Sequence, residues 1–397
     1  MKAGAGIATG SLWREALDAA VNQALARLNG ASVDLAMLFA SPEYAQDYGE
    51  LLAAARSRLA PGVLIGCSGQ GIIGNDREEE NEPAVSVLAF SLPAAQLHAT
   101  HVRQSNIGDE TSSAAWLRDL GVAGANAWIL LADPFSIDPE RLLAVLTEAY
   151  AGAPLIGGLA SGNPRRQATH VFLGGDVYED GAVALALGGD YTVQTVVAQG
   201  AEPIGEPWTI TGATDNVVQT LGMRPALRIL IETLRSLPPD TQERAQRNLL
   251  VGLAMNEYKD EFHRGDYLIR NLLGANQEEG WIAVGARPSA GQTLQFHLRD
   301  PMAADADLME MLERAKGETS LGSPVGALLC ACNGRGTGLF GTESHDARMI
   351  ARVLGGIPVA GFFCNGEIGP VGGKPFLHGY TASIAVIRPL DNESTEV

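Results

Sequence analysis

Short apolar runs that end in glycine-rich polar turns recur along the chain. Four stretches have this form, namely 63–74, 153–162, 328–341 and 357–373. Each begins with the apolar residues of a buried strand and continues into glycine and short polar residues. Glycine just past a strand end permits positive φ and close backbone approach. It leaves peptide N–H groups and polar side chains facing the space beyond the strand. The pattern therefore predicts that these four turns form the functional surface.

Amphipathic helices and short strands alternate between these turns. Apolar residues at helical spacing predict helices at 11–28, 42–59, 111–120, 140–150, 226–237, 302–316 and 344–354. Two pairs of apolar runs, 127–131 with 154–159 and 325–331 with 358–363, are separated by one helix. That spacing is typical of a right-handed parallel crossover. The predicted fold class is α/β, with helices covering mixed parallel and antiparallel sheets.

Two of the strand-and-turn segments align residue by residue and predict an internal duplication. Pro154 matches Pro358 and Gly157 matches Gly361 at one offset (358 − 154 = 204 and 361 − 157 = 204). Both glycines are expected to be required for backbone geometry rather than for chemistry. The order of elements over 84–187 also resembles that over 281–387. The prediction is two related α/β domains, at 1–205 and 206–388, followed by a disordered acidic tail at 389–397.

Charge and composition narrow the class of function. The net charge of −18 argues against nucleic acid and against an anionic membrane surface, since both require clustered Lys and Arg. The acidic run 76–82 is expected to be a solvated loop. No apolar run approaches the roughly 18 residues that span a bilayer, and the N-terminus lacks the apolar core of a signal peptide. Four cysteines in 397 residues are typical of reduced thiols, which favours a cytoplasmic location.

These stretches, taken in order, resemble the FIST family of F-box and intracellular signal transduction proteins. In the first half VLIGCSGQGIIG and PLIGGLASG carry the resemblance, and in the second half GDYLIRNLLG, GQTLQFHLRD, CNGRGTGLFG and FCNGEIGPV. The likeness extends from about residue 30 to 388 and implies N-terminal and C-terminal FIST modules. It implies a sensory protein that binds a small ligand, such as an amino acid or a derivative. Because no room remains for a kinase, cyclase or F-box segment, a separate signalling output protein is the expected partner.

The candidate ligand-binding residues are polar groups that follow the predicted strands. A right-handed crossover places the carboxyl ends of 325–331 and 358–363 on one edge, where ligands collect in open α/β sheets. Arg335 and Glu367 could clamp the carboxylate and ammonium of an amino acid, or could simply pair with each other on the surface. The glycine and asparagine positions are also explained by turns with positive φ. The predicted site residues are Asn333, Arg335, Asn365 and Glu367, with Ser68, Gln70 and Ser161 from the first half and Arg270 from the family resemblance alone.

Two other classes of function stay open at this stage. A cysteine-dependent enzyme would use Cys332 or Cys364, and it would need His345 or His378 to approach through the fold. A protein-interaction scaffold is compatible with the acidic surface. No Gly-x-Ser-x-Gly elbow, phosphate-binding loop or dinucleotide fingerprint occurs in the sequence. Neither a cofactor nor a metal ion is expected.

Overall fold

The computed structural model divides the chain into two units. It describes residues 1–108, 116, 120–122, 124–163, 167–245, 248–259 and 261–390. The first unit joins Met1–Val197 to Leu312–Val397, and the second is Ala198–Met311. Both ends of the chain therefore belong to the first unit, and the second is inserted between them in sequence.

Strands make up most of the described secondary structure. They are β1 (Lys2–Thr9), β2 (Leu35–Ala40), β3 (Val63–Ser68), β4 (Ile72–Gly74), β5 (Arg77–Glu79), β6 (Ala84–Ser91), β7 (Ala95–Val102), β8 (Ala127–Ala132), β9 (Leu155–Leu159), β10 (Val171–Leu173), β11 (Asp176–Tyr178), β12 (Ala182–Gly189), β13 (Tyr191–Ala198), β14 (Glu202–Thr214), β15 (Val217–Leu221), β16 (Arg224–Pro225), β17 (Leu249–Ala254), β18 (Tyr267–Ala275), β19 (Ile282–Val284), β20 (Thr293–Leu298), β21 (Gly326–Cys332), β22 (Val359–Cys364), β23 (Glu367–Val371), β24 (Lys374–His378) and β25 (Ala382–Pro389). The α-helices are α1 (Trp13–Leu28), α2 (Tyr48–Leu59), α3 (Pro139–Ala149), α4 (Ala226–Ser236), α5 (Pro239–Ala245), α6 (Pro301–Lys316), α7 (Thr337–Phe340) and α8 (His345–Val353), with 3-10 turns at Pro42–Asp47 and Gln104–Asn106.

The first unit contains three repeats of one strand topology. Each repeat has a first strand, a parallel pair connected through a helix, a β-hairpin and a last strand. The parallel pairs are β2–β3, β8–β9 and β21–β22. The hairpins are β4–β5, β10–β11 and β23–β24. The second unit is inserted into the third repeat, between β13 and β21.

The repeats exchange their hairpins cyclically, which produces three six-stranded sheets of equal order. The sheets are β1-β6-β2-β3-β10-β11, β7-β12-β8-β9-β23-β24 and β13-β25-β21-β22-β4-β5. The first repeat's hairpin thus extends the third repeat's sheet, the second repeat's extends the first, and the third repeat's extends the second. Each sheet is mixed, because one parallel pair lies among antiparallel neighbours.

The three sheets share one apolar core, and helices cover outer faces. Phe39 of the first sheet stacks on Phe362 of the third at 5.1 Å between ring centroids, and Ile129 of the second joins the same core. Helices α1 and α2 pack on the first sheet in a separate apolar cluster, and α3 packs similarly on the second sheet. Burial on both faces explains why these strands are continuous apolar runs rather than alternating ones.

Close backbone contact explains the glycines inside the second strand of each parallel pair. A Cβ added to Gly66, Gly157 or Gly361 would lie 1.8–1.9 Å from the carbonyl oxygen of Leu38, Leu130 or Leu329, its register partner. Only Gly157 among the three has a positive φ, at 152°. The shared requirement is therefore the absence of a side chain, and positive φ, which the sequence had suggested for both aligned glycines, does not account for Gly361.

The second unit is antiparallel. Its sheet order is β14-β20-β17-β18-β19-β15-β16, and an additional pairing of β14 with β15 closes a ring of strand pairs. An apolar cluster that includes Ile210, Val251 and Phe296 fills it. Ile229 of helix α4 belongs to that cluster. The apolar stripe on α4 accounts for this packing, since it puts Ala226, Ile229 and Leu230 on one buried face.

The predicted mixed α/β class is confirmed, and most predicted helices and strands are present within a few residues. The prediction that glycine-rich turns follow the strands was wrong in part, because residues 72–79 and 367–378 form hairpins that extend another repeat's sheet. The duplication is not confirmed, and the topology instead repeats three times within the first unit. The 205/206 boundary stays a prediction about sequence modules. The predicted helix 111–120 falls mostly outside the described residues, as does the tail from 391 onward.

We predict that Gly361→Ala destabilises the protein by about 1–3 kcal/mol, because the new methyl group would overlap the Leu329 carbonyl and force the paired strands apart. Denaturant unfolding measures the change. Gly379→Ala is the matched control, since the space around Gly379 is open and its φ is not positive. Equal unfolding midpoints for the two variants would contradict the close-contact explanation.

Candidate ligand site

The ends of β3, β9 and β22 meet in the first unit, one from each repeat. The Ser68 hydroxyl donates to the Ser161 carbonyl at 2.7 Å, and the Gln70 N–H donates to Ser161 Oγ at 2.7 Å. Ser161 Oγ in turn donates to the Phe363 carbonyl. The Asn365 N–H donates to the Leu159 carbonyl at 3.1 Å. These bonds hold the three strand ends together.

One asparagine pair fixes the orientation of the third strand end. Asn365 Nδ2 donates to the Ala160 carbonyl at 3.0 Å, while Asn365 Oδ1 accepts from Asn333 Nδ2 at 2.9 Å. The predicted convergence of the turns after β21 and β22 is therefore observed, since Cys332 and Cys364 are register partners and an asparagine follows each. The Asn365 amide is presented in one defined orientation.

A cavity of about 390 Å³ opens beside these strand ends. The second repeat contributes most of it, because an additional loop separates β9 from its hairpin there. The described residues around the cavity carry amide, hydroxyl and aromatic groups. They are Gln70, Pro134, Phe135, Gly162, Asn163, Gln167, Ala168, Thr169 and Asn365.

The chemistry of the cavity combines fixed and available hydrogen-bonding groups. The side chains of Gln70 and Gln167 are exposed, and no hydrogen bond to the described residues engages either amide. Thr169 is buried and donates its hydroxyl to the buried carboxylate of Asp133, which fixes the cavity wall. The ring of Phe135 is 55% exposed at the rim. An aromatic face beside several amides suits a small polar ligand with a flat or apolar part.

Arg335 does not line this cavity, whereas the sequence predicted a cation in the crevice. Its guanidinium is fully buried and bidentate on Asp346, at 2.5 and 2.9 Å, and it lies 5.2 Å from the centroid of the Phe340 ring. Burial alone would raise the pKa of Asp346, but the Arg335 charge and the His345 ring hold it at about 2. The pair joins the loop after β21 to helix α8.

Glu367 is also buried, and it does not pair with Arg335 on the surface. Glu367 Oε2 accepts from the Thr381 N–H at 2.9 Å, and Oε1 accepts from Cys364 Sγ at 3.3 Å. Burial raises the pKa of Glu367 to about 8, against these hydrogen bonds and the Arg335 charge, which lower it. The predicted arginine–glutamate clamp on an amino acid is therefore not formed by these two side chains.

Of the remaining predicted residues, Gln70 and Asn365 line the cavity, and Asn333 supports Asn365. Ser68 and Ser161 are buried, and their hydrogen bonds hold the strand ends together. Arg270 lies on β18 in the second unit, where it donates to the Ile269 carbonyl.

The cavity residues that the sequence did not predict come from the loops after β8 and β9. The Asp133-Pro134-Phe135 sequence at the end of a buried strand is the signal that could have identified the rim.

Three of the four thiols are poorly suited to nucleophilic catalysis. Burial raises the pKa values of Cys67, Cys330 and Cys364, so it opposes formation of the thiolate. His345 Nδ1 bonds Asp346 Oδ1 at 2.9 Å, and His378 Nε2 bonds the Gly369 carbonyl at 2.9 Å. Both rings that a cysteine-dependent enzyme could have used are thus engaged elsewhere.

Neither a metal centre nor a membrane span is found in the described part of the chain. No three His, Cys, Asp or Glu side chains there are arranged to hold a metal ion. Among the helices of these residues, none is long and apolar enough to cross a bilayer.

Comparison with known proteins gives two family matches that together cover nearly the whole chain. The FIST N domain matches residues 34–224, and the FIST C domain matches residues 226–370. A protein of Mycobacterium tuberculosis strain H37Rv, described only as uncharacterized, is 42% identical over 97% of this chain and 99% of its own length. An uncharacterized protein of Mycobacterium bovis is 37% identical over 97% of this chain and 98% of its own.

We predict that Arg335→Ala destabilises the protein by about 3–5 kcal/mol, since it leaves the buried Asp346 carboxylate without its cation. Urea unfolding tests this. Arg348→Ala, which removes an exposed arginine from the same helix region, should change stability by less than about 0.5 kcal/mol. An Arg335→Met, Asp346→Leu double variant should recover much of the loss. If Arg335→Ala unfolds like the control, the buried pair does not stabilise the fold.

A second prediction concerns the pH dependence of stability that Glu78 causes. Burial and then the Asp346 charge raise the pKa of Glu78 to about 8, from 4.5. The folded state therefore binds more protons than the unfolded state between these values, so stability falls as pH rises from about 5 to 8. Glu78→Gln should reduce this slope by roughly half in melting temperatures measured across that range, because Glu367, whose pKa burial also raises to about 8, supplies the remainder. Glu82→Gln, at an exposed position of the same acidic run, should leave the slope as in the parent protein. A slope unchanged in Glu78→Gln would show that Glu78 is ionised in the folded state.

Proposed function

Because the chain belongs to the FIST family, we propose that it is a sensory protein that binds a small polar molecule in the cavity of its first unit. FIST domains are associated with sensory signal transduction. The observation that carries the proposal is the 390 Å³ cavity at the point where strand ends of all three repeats meet. That volume lies within the range of about 300–1,000 Å³ that is typical of small-molecule sites.

The position of the cavity also supports this function. Ligands in α/β sheets collect beyond the carboxyl ends of parallel strands, and Gln70 and Asn365 follow such ends within two residues. A ligand that bonds both residues contacts the first and third repeats, while Phe135 and Gln167 come from the second. Binding can therefore change how firmly the three repeats are held together. Such a change is what a sensor must transmit.

The lining suggests a ligand with amide-like hydrogen-bonding groups. Side-chain amides donate and accept, so they match carbonyl, amide, hydroxyl and carboxylate groups equally. Phe135 offers an aromatic face, which favours a ligand that has a flat or apolar portion. Amino acids and their derivatives combine these features and are the first class to test. Recognition would depend on these amides, since Arg335 and Glu367 are buried in other contacts.

Output would pass to a separate signalling protein. The proposed site has no catalytic role of its own, and the burial of Cys364 and Cys330 supports binding without chemistry. A cytoplasmic location and the existence of a separate output protein are both predictions from the sequence.

We predict that Gln70→Ala and Phe135→Ala each weaken ligand binding on the order of tenfold while leaving the melting temperature almost unchanged, because both side chains are exposed at the cavity. The ligand is first identified by mass spectrometry of small molecules that co-purify with the protein. Thermal-shift titration with a panel of amino acids and the corresponding amino-acid amides then measures affinity.

Tyr258→Ala is the matched control for aromatic removal, because Tyr258 is 97% exposed in the second unit. It should bind like the parent protein. Parent-like binding by both cavity variants would place the ligand elsewhere. Tighter binding of amino acids than of their amides would show that a charged group takes part in recognition.

A further inference from the structure

Two thiols and a carboxyl group form a compact cluster beside the Asn333–Asn365 pair. Cys332 and Cys364 are register partners on the parallel strands β21 and β22, so their side chains point to the same face. Neighbouring strands lie about 4.8 Å apart, which places the two Cα atoms within the range of about 4.4–6.8 Å that a disulfide spans. The spacing of the two Cα atoms therefore permits a disulfide.

Glu367 connects the two thiols. Its carboxyl group accepts a hydrogen bond from Cys364 Sγ at 3.3 Å and interacts in the same way with the Cys332 thiol. The Thr381 N–H holds the other carboxyl oxygen at 2.9 Å, so the group cannot rotate away. Both sulfur atoms are thus gathered around one buried proton acceptor.

The two thiols differ in access to solvent. Cys364 is fully buried, whereas Cys332 is partly exposed beside Gly334 and Tyr380, both at the surface. Cys332 is therefore the thiol that a small oxidant would reach first, while Cys364 is protected. Such a pair, one accessible thiol with a second thiol in reach, is the arrangement found at redox-sensing cysteines.

We propose that Cys332 and Cys364 form a redox-sensitive dithiol that a hydroperoxide oxidises to a disulfide, with Glu367 accepting the proton of Cys332. This site is independent of the proposed ligand site. The first step starts from the ionised carboxylate of Glu367, which takes the Cys332 proton as the sulfur attacks the outer oxygen of the hydroperoxide. The O–O bond breaks, Cys332 becomes a sulfenic acid, and the leaving alkoxide or hydroxide takes up a proton.

The second step closes the disulfide. Cys364 Sγ attacks the sulfenic sulfur, its proton leaves with the hydroxyl group as water, and the S–S bond forms. In total two thiols and one hydroperoxide give one disulfide, one alcohol or water, and one further water. Burial raises the pKa of Glu367 to about 8, so the carboxylate that accepts the Cys332 proton becomes more populated as pH rises toward 8, and the rate of oxidation should rise with it.

The experiment treats the reduced full-length protein with hydrogen peroxide and then alkylates the remaining thiols under denaturing conditions. Peptide mass mapping should show a Cys332–Cys364 disulfide, with Cys67 and Cys330 still alkylated. In Cys364→Ser the reaction should stop at a Cys332 sulfenic acid that dimedone traps. Glu367→Gln should slow disulfide formation at least about tenfold, with a circular dichroism spectrum like that of the parent protein.

Cys67→Ala is the matched control, because this buried thiol lies on β3 outside the cluster. In this variant the Cys332–Cys364 disulfide should form at the parent rate. Alkylation of both Cys332 and Cys364 after peroxide treatment would overturn the proposal, as would a disulfide that maps to Cys67 or Cys330. A parent rate in folded Glu367→Gln would overturn the role given to Glu367.

Discussion

The cyclic exchange of hairpins is the constraint on which the first unit depends. Each parallel pair has one side open, and the hairpin of another repeat closes it, as β23 does by pairing with β9. An exposed edge strand is a template for aggregation, so three edges are protected at once by this arrangement. No repeat can complete its sheet alone. The three must fold together, and the insertion of a second unit into the third repeat is tolerated because it enters between strands rather than within a pair.

The elements themselves could be predicted from the sequence, because apolar periodicity determines them. Helix α1 and strand β22 follow directly from their patterns. The threefold repeat could not be recognised from the sequence, because the interval between the strand glycine and the hairpin is longer in the second repeat than in the other two. Gly66 and Gly361 precede their hairpin residues Ile73 and Ile368 by the same interval (73 − 66 = 7 and 368 − 361 = 7). In the second repeat the interval is longer, because an additional loop lines the cavity, and the resemblance of the first and second repeats is obscured.

Strand β1 was missed for a related reason. Its KAGAGIAT sequence has little apolar bulk, because helix α1 lies directly on it. A Cβ on Gly4 or Gly6 would come within 2.0–2.1 Å of the carbonyl oxygens of Ala24 and Ala20. The small residues of β1 allow close packing of the helix on the strand. Because they have low strand propensity, the sequence pattern did not predict this strand.

The candidate site was predictable in position and only partly in composition. Polar residues after strands β3 and β22 indicated the correct edge, because parallel strands bring their ends together. The sequence could not say which side chains turn inward. Arg335 lies two residues beyond Asn333, yet its partner Asp346 is on a helix eleven residues later (346 − 335 = 11). Phe135 and Gln167 belong to loops whose approach depends on tertiary structure alone.

The acidic run shows how the exchanged hairpin is fixed in place. The sequence predicted a solvated loop at 76–82, but Glu78 accepts from the Ala347 N–H at 2.8 Å, at the start of helix α8. Glu80 accepts from the Thr337 N–H at 2.8 Å, at the start of helix α7. Both carboxyl groups come from the first repeat, and both helices belong to the third. Helix N-termini leave N–H groups unsatisfied, so a hairpin that supplies their acceptors is held in register with the sheet that it extends.

This arrangement also explains why buried charge is tolerated beside the hairpin. Asp346 pairs with the Arg335 guanidinium and keeps its charge, while burial and then the Asp346 charge raise the pKa of the neighbouring Glu78 and favour its neutral form. A neutral carboxyl group still accepts from a helix N–H, and it does so without adding a second negative charge to a dry site. The first and third repeats are therefore joined by two helix caps, and the ion pair within the third repeat keeps its own charge beside one of them.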